Sequence, residues 1–64
     1  MKVKYDKEQD IVYVSFSDEP VYESDEEKPG MILDYSASGR IVGIEMLKAS
    51  EQLENPSKVE YEIA

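Results

Sequence analysis

Cysteine and histidine are both absent from this 64-residue chain. The first absence excludes disulfides and thiolate metal sites, the devices that most often reinforce a domain this small. The second removes the commonest metal ligand and the usual general base at neutral pH. Basic residues are scarce: 7 Lys and Arg stand against 15 Asp and Glu, for a net charge of −8. Binding a nucleic-acid backbone requires a basic face that displaces counterions, so direct nucleic-acid binding is not expected. Long apolar runs are missing as well. The longest, Ile11 to Val14, is far too short for a bilayer, and residues 1–6 lack the apolar stretch of a secretory signal. The expectation is a cytoplasmic protein with no membrane contact.

A chain of this length folds as one domain, residues 1–64, and buries only about 60% of the surface its unfolded state exposes. A second subunit or a protein partner is therefore a natural source of further burial, and a homodimer is one such arrangement.

What the sequence does contain is period-2 alternation. Val3 and Tyr5 alternate with Lys2 and Lys4, a polar break follows at residues 6–10, and residues 11–16 are rich in β-branched and aromatic side chains. This reads as a hairpin with Val12, Val14 and Phe16 facing the core and Tyr13 and Ser15 on the polar face. Val21 to Ser24 suits a short edge strand, and residues 25–30 read as a loop. Residues 31–35 and 40–47 form the longest apolar strands, joined by Ser36-Ala37-Ser38-Gly39, with Gly39 placed where a type I turn with a G1 bulge needs positive φ. Both faces of the 40–47 strand carry aliphatic residues, which makes it a central strand. Ser50 to Glu54 is the one helical stretch, with Ser50 as its cap and Asn55-Pro56 as its stop.

The predicted fold is α+β: an antiparallel sheet of five or six strands in largely sequential hairpin order, with one short helix near the C-terminus. Its core comprises Val12, Val14, Phe16, Ile32, Val42, Ile44, Met46 and Leu53. Residues 54–64 form a C-terminal extension that returns to alternation. If it adds a strand beside the first, Glu60 and Glu62 lie opposite Lys2 and Lys4, either within one chain or between two copies.

Two constellations stand out. The spacing Asp34-x-Ser36-x-Ser38-Gly39-x-Ile41-x-x-x-Glu45 fits a calcium-binding EF-hand loop, but its flanks read as strands rather than helices, and a bulged hairpin explains the same residues. The segment from Asp18 to Glu27 holds six carboxylates and no base. It serves either as a solvated stretch that discourages edge-to-edge aggregation or as a docking surface for a basic protein, centred on Glu23, Asp25, Glu26 and Glu27. No catalytic residues, metal ligands or cofactor-binding residues are assigned. The seven serines have no histidine to activate them, and a sheet of this size has little room for a cleft, so the protein is read as non-enzymatic.

Residues 39–50, Gly-Arg-Ile-Val-Gly-Ile-Glu-Met-Leu-Lys-Ala-Ser, carry a resemblance. With Tyr5-Asp6, Asp10-x-Val12-Tyr13-Val14, Phe16 and Pro29 to Tyr35, the chain over residues 1–53 resembles the short bacterial proteins known as domain of unknown function 2283. Members of that family usually have Asp where this chain has Ser36 and Ser38. The resemblance carries no catalytic or ligand residues. It implies a place beside small toxin-like proteins, hence an antitoxin-like role, which agrees with the charge reading: a protein that blocks a basic partner gains on-rate from an acidic face.

Overall fold

The computed structural model describes residues 1–64. The alternating segments form β1 (Lys2–Asp6), β2 (Ile11–Ser15), β3 (Glu23–Lys28), β4 (Met31–Tyr35) and β5 (Ile41–Leu47), followed by the single turn of α1 (Ala49–Gln52). All pairings are antiparallel, in the order β1-β2-β5-β4-β3. This is the expected antiparallel sheet, with five of the predicted five or six strands, and one short helix. The 40–47 segment is indeed its middle strand.

The order is not sequential, however. β2 pairs with β5 rather than with β3, and the Phe16–Tyr22 connection carries the chain past β5 and β4 to the far edge. Strands β3, β4 and β5 form a meander that brings β5 back beside β2, a Greek key. The reason lies in composition. The acidic β3 has no apolar face to offer β2, whereas β5 offers Ile44 opposite Val14 and Met46 opposite Val12.

Residues 25–28 are strand, not loop. Pro29-Gly30 turns the chain directly from β3 into β4, pairing Lys28 with Met31 and Asp25 with Leu33 past a bulge at Glu27. The pairing that β4 offers overrides the low β propensity of four consecutive charged residues. All of β3 is exposed, as an edge strand with few packing contacts permits.

The hairpin between β4 and β5 closes as predicted. The Gly39 amide donates to the Ser36 carbonyl at 2.9 Å, and Gly39 has φ of 85° with open space around its α-carbon.

Register places Val14, Ile44 and Leu33 in one row and Val12, Met46 and Met31 in the next, so these share the apolar face. Val12 and Val42 are buried; Val14, Ile44, Met46 and Leu53 are half-buried. Two predicted core residues differ. Phe16 lies past the end of β2 and is 43% exposed. Ile32 pairs with Glu45 and Glu26, which puts it on the opposite face.

The helix begins one residue earlier than predicted, and Ser50 does not cap it. Lys48 occupies the N-cap position in the left-handed region, φ 51°, without a side-chain cap bond. Residues 54–64 form no strand in this chain, and β1 pairs with β2 alone. Asn55 turns the tail locally, its side chain accepting from the Ser57 amide and its carbonyl from the Lys58 amide. Lys58 pairs with Glu60 at 3.1 Å, so the charge partner predicted on β1 is replaced by one two residues away. No helix is long and apolar enough to cross a membrane.

Candidate functional site

The four residues singled out for partner binding, Glu23, Asp25, Glu26 and Glu27, all lie on β3, the outermost strand beside β4. The structure brings them together on one edge but divides their work. The Glu26 carboxylate accepts from the Gly30 amide at 2.9 Å, bracing the turn, and Glu27 accepts from the Tyr35 hydroxyl at 2.9 Å. Glu23 and Asp25 flank Tyr22 and Tyr35 at a shallow groove of about 360 Å³. The Tyr35 hydroxyl is pushed above its ordinary pKa, first by the hydrogen bond to Glu27, then by partial burial and the negative charge of Glu27, Asp25 and Glu23. This negative field is one a cation would relieve. Tyr22 and Tyr35 were missed from the sequence, since nothing local to either signals that a crossing connection sets Tyr22 beside β4.

The other face of the sheet holds a carboxylate pair. Asp34 is buried and accepts from the Ser24 hydroxyl at 2.7 Å. Glu45, two residues along β5 from the Gly43 that pairs with Asp34, is raised above the usual carboxylate range, first by burial and then by hydrogen bonding with Asp34 and the charge of that neighbour. The calcium reading grouped these two with Ser36 and Ser38. Hydrogen bonds separate the sets: Ser36 and Ser38 bond to each other at 2.9 Å, and Ser36 Oγ also accepts from the Arg40 amide, closing the turn between two strands. An EF-hand loop instead lies between helices and points its oxygens at a common centre.

The Glu45 shift has a testable consequence. A carboxyl whose folded pKa lies above its unfolded value contributes stability that is present below the unfolded pKa and lost as pH rises through the folded one. Stability therefore peaks on the acid side of neutrality, and thermal melts from about pH 3 to pH 8 show a decline toward pH 8. Glu45→Gln raises the neutral-pH melting temperature and flattens that decline. A wild-type maximum at or above pH 7 contradicts this.

A third cluster joins distant parts of the chain. Asp10, in the left-handed region with φ of 57°, ends the β1–β2 turn. Its carboxylate accepts from the Tyr5 hydroxyl at 2.8 Å, the Ser50 amide at 2.9 Å and the Ser50 hydroxyl at 2.6 Å, while its carbonyl accepts from the Ala49 amide. Asp10 thus caps α1 from outside the helix, supplying the acceptor that the donor-only side chain of Lys48 cannot. Its pKa is lowered, chiefly by the Ser50 and then the Tyr5 hydrogen bonds, while the Tyr5 hydroxyl is raised by its bond to Asp10, then by burial and by that charge. Ala49 is fully buried beneath the clasp.

These features define the protein first as a one-layer antiparallel sheet domain, locked at one end by an aspartate-capped helical turn and acidic along its β3 edge. The chain belongs to the family described as Protein of unknown function (DUF2283), whose model matches residues 2–50. No curated protein and no solved structure matches it. The residues that carried the resemblance fall into two of the clusters: Tyr5, Asp10, Ala49 and Ser50 form the clasp, and Asp34, Gly43 and Glu45 meet on the polar face.

Proposed function

We propose that this protein is a non-enzymatic interaction module that docks a small basic protein, in antitoxin fashion, along β3. The observation that carries the reading is that the acidic residues occupy an edge strand rather than a loop. Such a strand has one row of backbone donors and acceptors free, and an extended segment adds to it by main-chain hydrogen bonds, with alternate side chains supplying specificity. Here the side chains nearest that edge are carboxylates, with Tyr22 and Tyr35 beside Glu23 and Asp25, a combination suited to lysine or arginine through charge and cation–π attraction. A net charge of −8 steers a basic partner toward the protein.

Edge-strand charges also discourage unwanted pairing between copies. The engagement of Glu26 and Glu27 within the hairpin favours that structural role for those two, leaving Glu23 and Asp25 for the partner.

Capture of partners from the native cell with wild-type protein and with the Glu23→Lys, Asp25→Lys double variant separates the two roles. The wild type recovers a basic protein at low salt and loses most of it at high salt, since exposed charges are screened beyond about 10 Å at 0.1 M. The double variant recovers none while keeping its fold by circular dichroism. Equal recovery by both proteins would falsify the assignment of β3.

A further inference from the structure

A sheet with an apolar face buries that face against a second layer. This chain supplies no such layer. The helix α1 sits at one end of the sheet, held to the Asp10 turn and, through Gln52 and Leu47, beside the Gly30 turn. The Phe16–Tyr22 connection passes the other end, where Arg40 meets Glu19. Between them Val14, Leu33, Ile44 and Met46 remain partly open at the middle of the sheet, and no large side chain in the molecule is fully enclosed.

The area is consistent with a missing layer. The chain exposes 5195 Å², whereas a folded monomer of its 7.3 kDa exposes about 4,200 Å². The excess of about 1,000 Å² compares with the roughly 800 Å² that each partner contributes to a standard interface. The open tail contributes to this excess, with Val59, Tyr61 and Ile63 all well exposed, beside the half-open residues of the face.

We propose that a second copy of this chain covers the apolar face, the two sheets stacking about 10 Å apart as a two-fold sandwich. The middle of the face is aliphatic and uncharged, so it has nothing to offer a basic protein and is complementary to itself. Charge then selects the orientation. Asp25, paired with Leu33, shares the apolar face at the β3 edge, while β1 at the other edge presents the uncharged Val3 and Tyr5 there, with Lys2 and Lys4 on the opposite face. A two-fold axis parallel to the strands sets β3 of one copy over β1 of the other; an in-plane axis across the strands sets β3 over β3 and opposes like charges. The parallel axis also leaves the outer edge of β3 free in both copies.

Sedimentation equilibrium of the full chain tests this, with an expected mass twice that of one chain. Leu33→Lys with Ile44→Lys halves that mass, while Val59→Lys with Tyr61→Lys on the tail leaves it unchanged. If the face variant does not fold, a mixed sample of isotope-labelled and unlabelled wild type decides: the methyl groups of Val14, Leu33 and Ile44 show intermolecular contacts. Intermolecular contacts confined to Val59, Tyr61 and Ile63 would assign the dimer to tail exchange and overturn the proposal, as would a monomer at every concentration.

Discussion

Replacing Asp10 with Ala is expected to melt the start of α1 and to lower the melting temperature by at least about 5 °C. One side chain removes the acceptor for the Tyr5 hydroxyl, the Ser50 amide and the Ser50 hydroxyl at once. These bonds join β1, the first turn and Ser50 of α1, so their loss leaves the turn and the helix linked only by the hydrogen bond from the Ala49 amide to the Asp10 carbonyl and by the sheet. Alanine at position 10 also has to adopt φ of 57°, which favours glycine, asparagine and aspartate over other residues. Asp10→Asn keeps an acceptor and tolerates the backbone, so its loss falls between wild type and alanine. In the wild type the same contribution disappears as pH falls through the lowered folded pKa of Asp10, because it is present only above the unfolded value. Thermal melts of the three proteins at neutral pH check the ranking; equal melting temperatures contradict the clasp.

Gly43→Val is expected to cost about 2–3 kcal/mol, within the range found for overpacked interiors. Gly43 is buried in the middle strand, opposite Ser15 on one side and Asp34 on the other. A β-carbon there would stand 3.0 Å from the Val14 carbonyl oxygen and 3.4 Å from an Asp34 carboxylate oxygen. The carbonyl belongs to the β2 backbone, which cannot retreat without loosening the β2–β5 ladder. The carboxylate is held by Ser24, and the γ-carbons of valine would press on it further. The higher strand propensity of valine, within a scale spanning about 1 kcal/mol, does not offset this. Urea denaturation measures the loss as a lower midpoint with unchanged slope. An unchanged midpoint would show that the strands have room to spare.

The strands with an apolar side are legible in the sequence because alternation reports burial on one face, and β1, β2, β4 and β5 each have such a face. β3 is not legible as a strand through residues 25–28, since an edge strand open on both faces has no hydrophobic period to show. Its pairing comes from the Pro29-Gly30 turn and the ladder that β4 offers. Strand order is hidden for a related reason: alternation says which way side chains face, not which neighbour they meet. The acidic residues proposed for docking are visible as composition, but their placement on an edge and their company with Tyr22 and Tyr35 depend on the crossing connection. Asp10 and Ser50 lie 40 positions apart, and each alone looks like an ordinary turn residue and an ordinary helix cap. The tail misleads because alternation at residues 59–63 is necessary for a strand and not sufficient; Asn55 and Lys58 satisfy themselves locally.

The docking of a basic extended segment on β3 is tested most directly by amide shift mapping. Isotope-labelled protein is titrated at low salt with a short peptide that alternates lysine and valine. The expected result is a set of saturable shifts confined to the amides of Tyr22–Lys28 and their β4 neighbours, lost at high salt and absent from the Glu23→Lys, Asp25→Lys variant. Shifts centred instead on β1, the other open edge, or no shifts at all, would contradict the account.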